Sequence, residues 1–165
     1  MASKTLNKVT LALNTGYALI VVLFLMDAYS RVEIKWQPLK TVVYAGLILG
    51  SVLLLLWNVF DLKNKVYILL PLAMFIYCLT VNPIVIINNS GVWHTQELLY
   101  QNKYNATVIE GQMRGMWIRY QSRTVQVRYL TPLFAISNPV PVNYKHNAQW
   151  YPVFKEINQM GLKSP

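Results

Sequence analysis

Residues 41–60 (TVVYAGLILGSVLLLLWNVF) are twenty positions without a formal charge. No other feature restricts the fold as strongly, because as an α-helix at 1.5 Å per residue this stretch reaches roughly 30 Å, the thickness of a bilayer's hydrocarbon core. Its polar groups, Thr41, Tyr44, Ser51, Trp57 and Asn58, are few and lie mostly towards the ends. The stretch reads as a membrane span, and its neighbours must be compatible with lipid.

Two further apolar runs flank it. Residues 9–26 carry no charge between Lys8 and Asp27; the run is longer than a usual signal core and lacks a good small-residue cleavage site, so a retained span is expected. Residues 66–87 form the third run. Pro71 falls near its first turn, where a missing N–H costs little, whereas Asn82-Pro83 lies late and should kink or end the regular helix. The five-residue link 61–65 (DLKNK) requires the second and third spans to form an antiparallel hairpin. The predicted fold class is therefore a membrane α-helical domain of three transmembrane helices, residues 1–88, followed by a small extramembrane domain, residues 89–165.

Inside the second span, Gly46 and Gly50 share one helix face beside Ala45 and Ser51, a spacing that permits close helix packing. Asn14 and Thr15 make a polar notch in the first span. Tyr77, Thr80 and Asn82 make the second half of the third more polar. These five side chains could line a path at membrane depth, although such groups ordinarily hydrogen-bond to neighbouring helices and backbone. No Asp, Glu, Lys, Arg or His lies within the three predicted runs, which argues against a proton relay, an ion-coupled transporter or a voltage sensor. Lys and Arg near the span ends divide evenly. Lys4, Lys8, Lys63 and Lys65 oppose Arg31, Lys35, Lys40 and Lys103, so the expectation of a cytoplasmic N-terminus and an external C-terminal domain rests on the first segment and on the two acids, Asp27 and Glu33, that offset the first loop.

Beyond residue 88 the hydrophobic period drops to two. Val125, Val127 and Tyr129 alternate with Thr124, Gln126 and Arg128, and Met116, Ile118 and Tyr120 alternate with Trp117, Arg119 and Gln121, the pattern of half-buried strands. Gln121-Ser122-Arg123 would turn between them. Residues 107–113 read as a strand with a bulge at Gly111 and a turn at Arg114-Gly115, and residues 97–101 as another, with a continuation over 133–136. This predicts an antiparallel β-rich domain. Pro152 at a helical start and Gly161 past the end predict a short terminal helix over residues 152–160.

Fifteen Lys and Arg against six Asp and Glu give a formal charge of +9. Seven of the basic residues flank the apolar runs, so the charge points to lipid headgroups or an acidic protein partner rather than nucleic acid. The single cysteine, Cys78, excludes an intrachain disulfide and a cysteine metal cluster. His94 and Glu97 would share a face if helical, with His146 the only other histidine, yet two ligands do not make a metal site. No nucleophile elbow, phosphate loop or His-Glu-x-x-His motif occurs. The residues thus predict no catalytic, metal or cofactor site. Trp117, Arg119, Tyr120, Arg123, Arg128 and Tyr129 are types enriched at protein interfaces and are the candidate partner surface. The expected function is a non-catalytic accessory or scaffold subunit of a membrane assembly, with the bilayer and other subunits or copies of itself as partners. The alternatives are a self-assembling pore along the polar positions and a membrane-bound metal-dependent hydrolase using His94 and Glu97.

Overall fold

The computed structural model describes residues 2–60, 65–115, 120–140 and 148–161. The chain divides into two compact units, Met1–Ala28 with Pro38–Ser90, and Tyr29–Gln37 with Gly91–Pro165.

The first unit is helical. Helix α1 runs Ala2–Tyr29 and α2 Gln37–Phe60, both extending past the uncharged runs that mark them in the sequence. Each contains a segment long and apolar enough to cross a membrane, Lys8–Tyr29 and Gln37–Phe60. The core helix of a soluble protein would be mostly covered, but here only 22% and 33% of the apolar windows are buried. Leu19, Leu49 and Leu53 are more than 60% exposed, a cost that lipid removes and water does not. The buried positions of α2, Lys40, Val43, Tyr44, Leu47, Ser51, Leu54 and Asn58, recur every three or four residues and form one stripe.

A continuous third rod is not present. A 3-10 turn, Lys65–Ile68, leads into α3, Leu69–Val81, and then α4, Pro83–Asn88, of 13 and 6 residues. The break falls at Asn82, as Pro83 demands: a residue before proline is kept from the helical ψ, and Asn82 takes φ 71° and ψ 117°. Its side chain then caps α4 by accepting from Ile84 N at 3.0 Å.

The second unit is a six-stranded antiparallel sheet in the order β1-β5-β4-β3-β2-β6. Its strands are β1 Val32–Ile34, β2 His94–Asn102, β3 Thr107–Gly115, β4 Tyr120–Tyr129, β5 Phe134–Asn138 and β6 Trp150–Glu156. Register places Val108, Glu110 and Gln112 opposite Val127, Val125 and Arg123, and Ala135 between Glu33 and Tyr129. Paired residues share a face, so Val108, Val125, Val127 and Ala135 form an apolar core on one side of the sheet.

Several expectations are corrected. The terminal helix is instead edge strand β6, where Trp150, Tyr151, Val153 and Phe154 favour the pleat and an edge position tolerates Pro152. Gln121-Ser122-Arg123 does not turn but continues β4, and Arg114-Gly115 continues β3 in register with Gln121 and Tyr120. The residues between, 116–119, lie outside the described segments. The bulge is not at Gly111 but across from it: β2 carries the extra residues Gln96 and Leu99. Gly111 is needed for clearance, since a Cβ there would lie 2.6 Å from Glu97 Cγ. Strand β1 has no period-two signal in the sequence at all, being three residues inside a short loop of mixed charge.

Candidate functional site

The densest polar chemistry among the described residues is a chain of side chains on the core face of the sheet. It begins at Lys35, just past β1, whose Nζ lies 3.2 Å from Glu33 Oε2; the contact is an ion pair and not an aligned hydrogen bond. Glu33 Oε1 accepts from Arg123 Nη2 at 2.5 Å. The same guanidinium donates to Gln112 Oε1 through Nε at 3.1 Å and Nη2 at 2.8 Å. Gln112 Nε2 donates to Glu110 Oε2 at 3.0 Å, and that oxygen also accepts from Thr95 Oγ1 at 2.8 Å and Tyr129 Oη at 3.2 Å. Trp93 closes one side, with the guanidinium carbons of Arg123 and Arg114 at 4.1 and 4.6 Å from its ring centroid.

Alternation on the strands supplies this geometry, because Glu110 and Gln112 are two apart on β3 and Arg123 stands directly across from Gln112. Two carboxylates and two cations leave the chain of contacts neutral, which is how charges are kept in a low-dielectric setting. Burial raises the Glu33 carboxyl, but the Lys35 and Arg123 cations outweigh it and the net shift is downward. Burial lowers Lys35, and Glu33 restores only part of the loss. For Tyr129, burial and the adjoining Glu110 carboxylate push the phenol up to about 12, against the pull of the Thr95 hydroxyl. His94 is lowered by burial, then by Lys35.

Thr95 with Glu110 has the form of a hydroxyl beside a base. Both are 3% exposed, so no substrate atom reaches them. His94 and Glu97 lie on strand β2 rather than a helix. Among the described residues no three His, Cys, Asp or Glu side chains gather to hold a metal; His146 lies outside those residues.

The six candidate interface residues separate. Trp117 and Arg119 are outside the described residues. Arg123 and the Tyr129 hydroxyl are taken up in the network. Tyr120 and Arg128 are exposed, and by register both occupy the opposite face of β4. The signal that could have found the network is the isolated glutamate in a strand, Glu110, flanked by apolar positions; nothing local marked Glu33 as its distant companion.

In the helical unit Gly46 and Gly50 face α1, where a Cβ would lie 3.0 Å from Ile20 Cδ1 and 2.8 Å from the Tyr17 ring. Ala45 is exposed, and Ser51 is buried with its hydroxyl on Ile48 O at 2.7 Å. An apolar groove of about 620 Å3 runs beside this contact, lined by Ala12, Gly16, Leu49, Leu53 and Trp57 among others. The polar positions do not converge. Asn14 exchanges amide hydrogen bonds with Asn58 at 3.2 and 2.9 Å, and Asn58 also reaches Tyr67 O at 3.0 Å. Thr80 bonds back to Tyr77 O at 2.9 Å, Tyr77 lies edge-on to Phe24 at 5.8 Å, Asn82 is a cap, and Thr15 is exposed.

One pair is not legible in the sequence, because its two residues lie at the ends of separate apolar runs. Asp27 Oδ2 and Lys40 Nζ meet at 3.0 Å with side chains 1% and 4% exposed, and Tyr44 Oη donates to the same carboxylate oxygen at 2.7 Å. Comparison with known proteins finds no family model that matches this chain, and no similar protein among the curated proteins or the solved structures.

Proposed function

We propose that this protein is a non-catalytic accessory or scaffold subunit of a membrane protein assembly, anchored by three crossings, with its sheet domain and the α1–α2 loop on the same side. The observation that carries the third crossing is the pairing of β1 with β5. Strand β1 lies between α1 and α2, whereas β5 lies beyond α4. If α2 crosses the bilayer, the chain must cross back before Gly91, and residues 65–88 are the segment available; 24 residues at the full helical rise would reach about 36 Å, which leaves length to spare for the break at Asn82. The contacts of Asn14, Tyr17, Ile20 and Asp27 with α2 favour a first helix retained in the mature chain.

The scaffold reading is supported by how the reactive groups are spent. Asp27 pairs with Lys40, Glu33 with Lys35 and Arg123, and Glu110 accepts from Thr95 and Tyr129, all inside the chain. Polar pairs of this kind position elements. Partner contact would fall on the groove at Gly16 and on the outer face at Tyr120 and Arg128, and with a cytoplasmic N-terminus the sheet domain is external.

The test is purification in mild detergent with native mass measurement. The wild type should carry a stoichiometric partner or a second copy, lost in Gly16→Leu or in Arg128→Glu with Tyr120→Ala while the free chain remains folded. A wild type that is monomeric at every detergent and salt condition overturns the reading.

A further inference from the structure

The turn between β4 and β5, Leu130-Thr131-Pro132-Leu133, is built as a rigid apolar tip. Thr131 Oγ1 accepts from Leu133 N and Phe134 N, both at 3.1 Å, and Leu130 N and Thr131 N donate to Phe134 O at 3.0 and 3.2 Å. Its outward side chains are nevertheless greasy, Leu130 49% and Leu133 38% exposed, and Trp36 nearby in the same unit is 50% exposed. No charge occurs from Tyr129 to Asn138, while exposed Arg128 stands just before the tip. Such a surface is unfavourable in water and matches the boundary of a bilayer, where Trp, Leu and flanking cations concentrate.

Chain connectivity ties the tip to that boundary. Leu133 O accepts from Lys35 N at 2.8 Å, and Lys35 is two residues before α2 begins at Gln37. Two residues span at most about 7 Å, so the turn's backbone is held close to where α2 meets the headgroups. The α1–α2 loop cannot lift it away. Residues 30–36 extend to about 25 Å at most, and with both ends fixed at helix termini their highest point is about 12 Å above them.

We propose that the β4–β5 turn seats in the headgroup layer of the bilayer that holds α1 and α2, as an apolar foot. The proposal rests on the membrane reading above. The experiment uses the full chain in nanodiscs of mixed neutral and anionic lipid, with Cys78→Ala and one new cysteine, Leu130→Cys or Leu133→Cys, carrying an environment-sensitive dye. Leu19→Cys, 61% exposed and outside the groove at Gly16, serves as the lipid reference and Lys103→Cys as the water reference. The expected result is blue-shifted emission at 130 and 133, quenched by lipids with a nitroxide near the headgroup and protected from aqueous iodide. Emission and iodide quenching equal to those of position 103 overturn the proposal, with position 19 still in lipid. Protection from iodide without quenching by nitroxide lipid also overturns it, since a protein then covers the tip. Water-like emission at position 19 would instead remove the membrane reading itself.

Discussion

At the residue scale the protein is held by charges that cannot be removed singly. Breaking a buried pair leaves an uncompensated charge, at a cost of about 3 to 5 kcal/mol. Asp27→Asn should therefore lower the thermal midpoint in detergent sharply, and adding Lys40→Met should recover most of the loss, because the orphaned ammonium is then gone. Arg123→Met should act likewise on the sheet, since it strips Glu33 and Gln112 of their donor, and it should also shift Trp93 fluorescence, whose ring the guanidinium covers at 4.1 Å. The titrations give a third expectation. Tyr129 keeps its proton in the folded state to about 12 while the unfolded phenol ionises near 10.0, so its folded pKa is raised and its contribution is lost as pH rises through that window. Tyr129→Phe should flatten the fall of the melting temperature above pH 10. Glu33 works in the opposite sense: its folded pKa is depressed below 4.5, so its contribution disappears as the medium is acidified below that value.

At the element scale the structure shows what the glycines pack against. Gly46 and Gly50 stand out in the sequence as a packing face, and they pack within the chain, against Ile20 and Tyr17. Gly50→Leu should then destabilise the isolated monomer, whereas Gly16→Leu, whose Cβ would meet nothing within 4 Å, should leave its melting temperature unchanged. The apolar helices and the core strands were legible because each carries its own period: α2 in its uncharged run, β4 in Val125, Val127 and Tyr129. Strand β1 was not, because three residues hold too few positions to show alternation, and its place is set by β5 more than a hundred residues away. The terminal segment misled because Pro152 and Gly161 are ordinary helix punctuation; pairing with β2 outweighs that local preference, and Gly161 turns the chain with φ 62°. The candidate site was least legible of all. Glu33, Gln112, Glu110 and Thr95 come from three strands, and only the sheet's register brings them together.

At the scale of the whole molecule, one sheet gathers a strand from the first loop and five from beyond the last helix. That arrangement makes the fold of the polar domain conditional on the path of the chain through the membrane. Arg31 and Lys103 must share a side of the bilayer if the pairing of β1 and β5 is to form, and Lys8 and Val66 must lie on the other. Single cysteines at these four positions in a Cys78→Ala background, labelled in sealed vesicles with an impermeant maleimide, read this directly. The account predicts that positions 31 and 103 label together from one side while 8 and 66 label only after the vesicles are opened, or the reverse for vesicles of the other orientation. Labelling of 31 and 103 from opposite sides, or of all four positions from the same side, would contradict it.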